Sequence, residues 1–171
     1  MKPLQLPEQI AGFELRVPPA GWAERIASFD QEIFGIDSWS AAIWRHELAA
    51  AGRTYLVLSE PPRPLQSVGT MVAVGGVGYG PEAEILTLAV KPSYRRRGIA
   101  RELLATLIGL AVSQNSEEIF LEVRANDPGA LSLYQQAGFT AVGQRKGYYS
   151  DADATIMRRT LNFGTKDSHN S

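Results

Sequence analysis

The stretch from Glu84 to Leu104, EILTLAVKPSYRRRGIARELL, decides the fold. Its first part, Ile85 to Val90, is a run of aliphatic residues that reads as a strand, and Pro92 closes it. From Ile99 to Val112, the residues Leu103, Leu104, Leu107, Ile108 and Leu110 recur at helical spacing, which predicts a helix with one broad buried face. Only the turn Arg95-Arg96-Arg97-Gly98-Ile99-Ala100 separates strand from helix. The first N–H groups of a helix lack intrahelical acceptors and lie at the positive end of its dipole. Such a turn aims free donors outward, and the small Gly98 and Ala100 let an anion such as a pyrophosphate approach the backbone closely. Three arginines add charge there. The plainer reading, in which Gly98 only permits the turn and the arginines are a solvated run, stays open on this hexapeptide alone.

Upstream, Phe13 to Val17 alternates weakly as a first strand, and Trp22 to Phe34 carries Trp22, Ile26, Phe29 and Ile33 at helical spacing. Ser40 suits the start of a second helix that runs through Ile43, Trp44 and Leu48 to a stop near Gly52. Trp39 and Trp44 read as core. Tyr55 to Leu58, Val68 to Val77 and Ile85 to Val90 form a meander of three strands, and the glycine-rich GGVGYG suggests a bulge. Downstream, Ile119 to Val123 is a strand. Asp127-Pro128 is a helix start, since an Asp side chain accepts free N–H groups and Pro fits the first helical turn. That helix ends at Gly138, and Thr140 to Tyr149 and Ala152 to Leu161 are further strands. The order β, α, α, β, β, β, α, β, α, β, β is a mixed α/β (α+β) layer.

The chain has 171 residues, 44% of them hydrophobic, enough for one domain over residues 1–163, with the small polar GTKDSHNS of 164–171 expected as a disordered tail. A formal net charge of -1 gives no global attraction to nucleic acid or to an anionic membrane. Cysteine is absent and histidine occurs only at His46 and His169, which excludes disulfide scaffolds, thiol nucleophiles and Cys/His zinc sites, so no metal is expected. The amino-terminal MKPLQLPEQI lacks a signal-peptide core, and Leu103 to Val112 is too short to span a bilayer. These features predict a soluble, cytoplasmic protein whose chemistry rests on carboxylate, hydroxyl and backbone groups.

The segment FLEVRANDPGALSLYQQAGF, Phe120 to Phe139, brings two such groups together, with Glu122 on a strand and Tyr134 on the helix that follows. A carboxylate can act as a proton acceptor and a phenol as a proton donor. Other readings stay open: Glu122 as an exposed strand residue or one paired near Arg124, and Tyr134 as a packing residue on the stripe Ala130, Leu133, Tyr134, Ala137. Glu84, at the start of the strand before the arginine turn, is a competing base.

The pattern [QR]-x-x-G-x-[GA] after a strand ending in A-V-x-P, here Ala89-Val90-Lys91-Pro92 and then Arg95 to Ala100, resembles motif A of the Gcn5-related N-acetyltransferase (GNAT) superfamily. The Phe120 to Phe139 segment resembles its motif B. More narrowly, L-E-V-R, L-Y-x-x-x-G-F, the pair Tyr148-Tyr149, and D-S-W-S at Asp37 to Ser40 with Glu47-Leu48 resemble the bacterial ribosomal-protein alanine N-acetyltransferases. The resemblance runs from about Trp39 to Leu161. It implies a GNAT fold with a mostly antiparallel central sheet of six to seven strands flanked by about four helices. It also implies acetyl-CoA as donor, held by Arg95, Arg96, Arg97, Gly98, Ile99, Ala100 and Arg101, with its pantetheine along Leu88, Ala89 and Val90.

By the same resemblance, Glu122 would be the general base, Tyr134 the general acid, and a strand N–H near Leu88 or Ala89 the oxyanion donor. The acceptor would be the α-amine of a protein N terminus, in the family case a small-subunit ribosomal protein. Two departures stand out: Asp127 occupies a position where the subfamily commonly has a cofactor-contacting Asn, and Thr87 replaces a frequent Asn. Tyr148 and Tyr149 read either as lining an acceptor mouth or as packing residues on a strand. Acetylation of a small amine or a lysine side chain, and a non-catalytic acetyl-CoA-binding module, are the alternatives on the same fold.

Overall fold

A computed structural model describes residues 4–161. The eight strands form one sheet in the order β1-β2-β3-β4-β5-β6-β8-β7, and only β5 and β6 run parallel. The strands are β1 (Gln9–Ile10), β2 (Phe13–Arg16), β3 (Arg53–Ser59), β4 (Met71–Gly78), β5 (Glu82–Val90), β6 (Glu118–Arg124), β7 (Thr140–Arg145) and β8 (Ala154–Thr160). The helices are α1 (Ala23–Phe34), α2 (Ala41–Ala49), α3 (Ile99–Ser113) and α4 (Pro128–Gln136). This is the mixed layer read from the sequence. Eight strands replace the six to seven expected, because the two-residue β1 is too short to show a period of its own. The 164–171 tail lies outside the described residues.

The two sheet faces carry separate cores. Leu56 and Leu58 of β3 face one side with α3, and Tyr55 and Val57 face the other with α1 and α2, as the period-2 alternation of a strand requires. The predicted face of α3 is buried: Leu103, Leu104 and Leu107 are fully inside, with Ile108 and Leu110 nearly so. Helix α3 sits close on β4 because Gly75 has no side chain, and a Cβ there would lie 2.9 Å from Leu107 Cδ1. Both anticipated caps form, Ser40 Oγ accepting from Ile43 N and Asp127 Oδ1 from Ala130 N. Trp22 falls in a 3-10 turn before α1 rather than inside the helix.

Strand β5 controls the cleft. Gly76 of β4 pairs with Thr87, but the next residue, Val77, pairs with Ile85, so Leu86 is an extra residue in β5. The bulge suggested by the glycine run therefore exists, with its extra residue on the neighbouring strand. A bulged strand bends. Pairing of β5 with β6 covers only Glu82 to Glu84 against Glu118 to Phe120, and beyond it the two strands part.

Candidate active site

A cleft of about 450 Å³ fills the gap between the parted strands, with Ile85 to Leu88 on one wall and Leu121 to Arg124 on the other. Because β6 has left, the outer edge of β5 from Ile85 onward has lost its sheet partner, and its backbone donors and acceptors face the opening. The split also lets side chains from opposite faces of the sheet reach one place. Leu121 and Val123 point into the α3/α4 core, so Glu122 points to the α1/α2 side. Tyr134 approaches from α4, and both line the cleft.

Glu122 is paired with Arg145, whose Nη1 donates to Glu122 Oε1 at 2.6 Å. It is thus neither a free strand residue nor a partner of Arg124's neighbours. Glu84 lies on the same side of the cleft, and burial, followed by the negative charge of Glu122, raises its pKa above the usual carboxylate value. Tyr134 is 8% exposed. Burial first, and the neighbouring Tyr149 and Asp127 second, push its phenol well above its ordinary value, so it stays protonated at neutral pH. Its ring meets Phe139 edge-on at 5.9 Å, so the packing role and the cleft position coexist.

Of the strand residues expected along a pantetheine, Leu88 lines the cleft, whereas the side chains of Ala89 and Val90 are buried in the cores. Asp127 lines the cleft with one carboxylate oxygen already used as the α4 cap. Arg95, Arg96, Arg97, Gly98, Ile99, Ala100 and Arg101 stand at the far end of β5, around the start of α3, and do not line this opening. There Gly98 is the N-cap of α3 in the left-handed region (φ 76°), with no side-chain cap over the first helical amides. Arg96 is also left-handed (φ 64°). The arginines point three ways: Arg95 Nε donates to Val90 O at 3.2 Å, Arg97 stacks on Tyr94 at 5.1 Å, and Arg96 is exposed. Free amides, a left-handed glycine and surplus positive charge suit a pyrophosphate.

Residues 21–139 match the Acetyltransferase (GNAT) family. The chain belongs to that family. It is similar to the N-alpha-acetyltransferase RimI of Mycobacterium tuberculosis, with 38% identity over 145 residues, 80% of this chain and 85% of the relative. It is also similar to the [ribosomal protein bS18]-alanine N-acetyltransferase of Salmonella typhimurium, 39% identical over 80 residues, 44% of this chain and 54% of that one. The crystal structure of the ribosomal-protein-S18-alanine N-acetyltransferase from Escherichia coli superposes with a TM-score of 0.76 at 24% identity, covering 92% of this chain and 99% of that chain. That likeness is one of fold.

Several cleft residues of this GNAT enzyme were not singled out as site residues in the sequence. Arg124 of β6 pairs with both Asp37 and Asp151, and its guanidinium lies 4.5 Å from the centre of the Tyr149 ring. Ser150 donates to Asp37 through its N (3.1 Å) and Oγ (2.9 Å). Burial acts to raise the Asp37 pKa, but these hydrogen bonds and the Arg124 charge outweigh it and hold the carboxyl below its ordinary value. Trp39 lines the cleft while packing on the α1/α2 core, 5.0 Å from the ring of the fully buried Trp44. Asp30 anchors both, accepting from Trp39 N at 2.7 Å and Trp44 Nε1 at 3.3 Å. Tyr148 and Tyr149 line the cleft from the loop after β7, not from a strand, because the strand stops at Arg145 ahead of the left-handed Gly147 (φ 63°). Among the described residues no group of His, Cys, Asp and Glu could hold a metal ion, and no helix is long and apolar enough to cross a membrane.

Proposed function

We propose that this GNAT protein transfers the acetyl group of acetyl-CoA to the N-terminal α-amine of a protein in the cytoplasm, with a small-subunit ribosomal protein as acceptor. The observation that carries the proposal is the split sheet, which admits Glu122 from one face and Tyr134 from the other into a single cleft. The left-handed turn and free amides at the start of α3 favour the donor's pyrophosphate, with Arg95 to Arg97 adding charge. Leu88 and the unpaired edge of β5 provide backbone groups for the pantetheine arm. The names of the relatives from Mycobacterium tuberculosis and Salmonella typhimurium support the α-amine, and the second supports the ribosomal acceptor.

Acetyl-CoA supplies the thioester carbonyl that the amine attacks. Glu122, directly or through a water, takes the amine proton so that the nitrogen lone pair forms the new C–N bond. An N–H on the free edge of β5, near Leu88, donates to the developing oxyanion. Tyr134 gives its proton to the sulfur as the C–S bond breaks, and recovers one from solvent. Its buried, protonated phenol suits that donor role. Transfer is direct, and no residue is acylated.

Incubation with acetyl-CoA and peptides bearing a free N terminus, a free lysine, or neither, read by mass spectrometry, tests the assignment. Acetyl on the α-amine supports it. Acetyl only on lysine would replace the acceptor, and binding of acetyl-CoA without transfer to any peptide would leave a binding module.

A further inference from the structure

The cleft holds two carboxylates, Glu84 on β5 and Glu122 on β6, on one side of the sheet and close enough for the Glu122 charge to raise the Glu84 pKa. Three arginines lie around them. Arg53 of β3 is committed elsewhere, its Nη1 lying 2.5 Å from Glu47 Oε2. Arg124 of β6 is taken by Asp37 and Asp151. Arg145 is thus the cation that answers the pair directly, and its charge acts on both Glu122 and Glu84. Tyr148 and Tyr149 close the same space as neutral phenols, since burial raises both, Tyr149 to about 12.

The Arg145–Glu122 pair is lopsided. The Glu122 side chain is 19% exposed and the Arg145 side chain 54%, so the carboxylate is set into the cleft and the guanidinium reaches it from outside. Arg145 is the last residue of an edge strand, and its guanidinium lies 4.6 Å over the ring of Tyr148, itself 48% exposed. Exposed pairs and stacks of this kind contribute little and exchange readily with water and ions. A protonated α-amine entering the cleft presents the same charge to the same oxygen.

We propose that Arg145 is a built-in stand-in for the acceptor ammonium: it occupies Glu122 Oε1 in the empty cleft and is displaced when the amine arrives. It is a positioning residue, and the proposal rests on the reading of Glu122 as base. Two consequences follow. Arg145 competes with the acceptor for Glu122, and its charge opposes protonation of Glu84.

Arg145→Gln, which keeps a hydrogen-bond donor and removes the charge, tests both consequences through peptide acetylation across pH. The acceptor KM is expected to fall by up to about fivefold, the scale of an exposed ion pair. The acid limb of kcat/KM moves to higher pH, because the cleft loses the positive charge that lowers the Glu84 pKa. Arg145→Lys restores both, and the acetyl-CoA KM stays put throughout. An unchanged acceptor KM with an unmoved acid limb overturns the proposal, as does a raised KM with no shift, which would make Arg145 an acceptor contact. Glu122→Gln run alongside separates the two layers: wild-type turnover there sinks the base assignment itself, whereas impaired Glu122→Gln with a wild-type Arg145→Gln profile sinks only the stand-in.

Discussion

Asp37 and Arg124, 87 positions apart in the chain, form an ion pair across the mouth of the cleft, and Ser150 and Asp151 close the same network from the loop between β7 and β8. The connector between α1 and α2 is thereby fastened to the strand that bears Glu122. Asp37→Asn and Arg124→Met should each raise the acceptor KM severalfold while leaving that of acetyl-CoA nearly unchanged. Steady-state kinetics with the two substrates varied separately checks this. The Asp37 carboxyl is held below its ordinary value, so its contribution is present above the unfolded pKa and is lost as pH falls through the lower folded one. The wild-type acceptor KM should therefore rise only in acid below the usual carboxylate range.

Removing the proposed acid or base should act on turnover. Tyr134→Phe is expected to lower kcat by about 10² to 10⁴, the range for a lost general acid, with acetyl-CoA affinity retained. Glu122→Gln should slow turnover most at low pH, where the acceptor amine is protonated. Rapid-mix kinetics with a calorimetric Kd distinguishes these outcomes from loss of binding. Because burial raises the Tyr134 pKa, no alkaline limb from its ionisation should appear below about pH 10.

At the α3 N terminus, Gly98 adopts φ 76°, which costs a side-chain-bearing residue about 1–2 kcal/mol. Gly98→Val should weaken acetyl-CoA binding at least tenfold by turning the first amides of the helix. Arg96→Ala, which removes an exposed guanidinium, should cost less. Equal losses by calorimetry would move the recognition from the backbone to the arginines.

Packing of α3 on β4 yields a prediction about stability. Gly75→Ala would set a methyl 2.9 Å from Leu107 Cδ1 and 3.2 Å from Leu103 Cδ2, an overpacking worth about 1–3 kcal/mol. Leu107→Ala leaves a cavity worth about 2–5 kcal/mol. The double variant should lose less than the sum, since the new methyl occupies part of the space vacated. Urea unfolding of the four proteins measures the coupling.

Local features were legible in advance. Ser40 and Asp127 read as caps because a cap joins residues three positions apart, and the stripe on α3 read as a helix because its period is written in consecutive residues. Glu122 and Tyr134 were candidates through the family resemblance of one continuous segment in which strand and helix are consecutive. Tyr148 and Tyr149 were half legible: the pair pointed to the cleft, but their chemistry suits a strand equally well, and the turn at Gly147 takes them off it. Arg124 and Trp39 stood within the L-E-V-R and D-S-W-S motifs without a role of their own, and Arg145 gave no sign, because a charged or aromatic residue is ordinary until its partner is known.

The chain order alone settles the elements and the anion-ready turn between β5 and α3, since these depend on contacts within a few residues. The opening of the sheet does not. It needs β6 to return parallel to β5 after the α3 crossover, Leu86 to bulge, and pairing to stop after Glu84. The last pair that joins β5 to β6, Glu84 and Phe120, is remote in the chain and written in no local pattern, and so the meeting of Glu122, Tyr134, Glu84 and Arg145 exists only once the tertiary structure has formed.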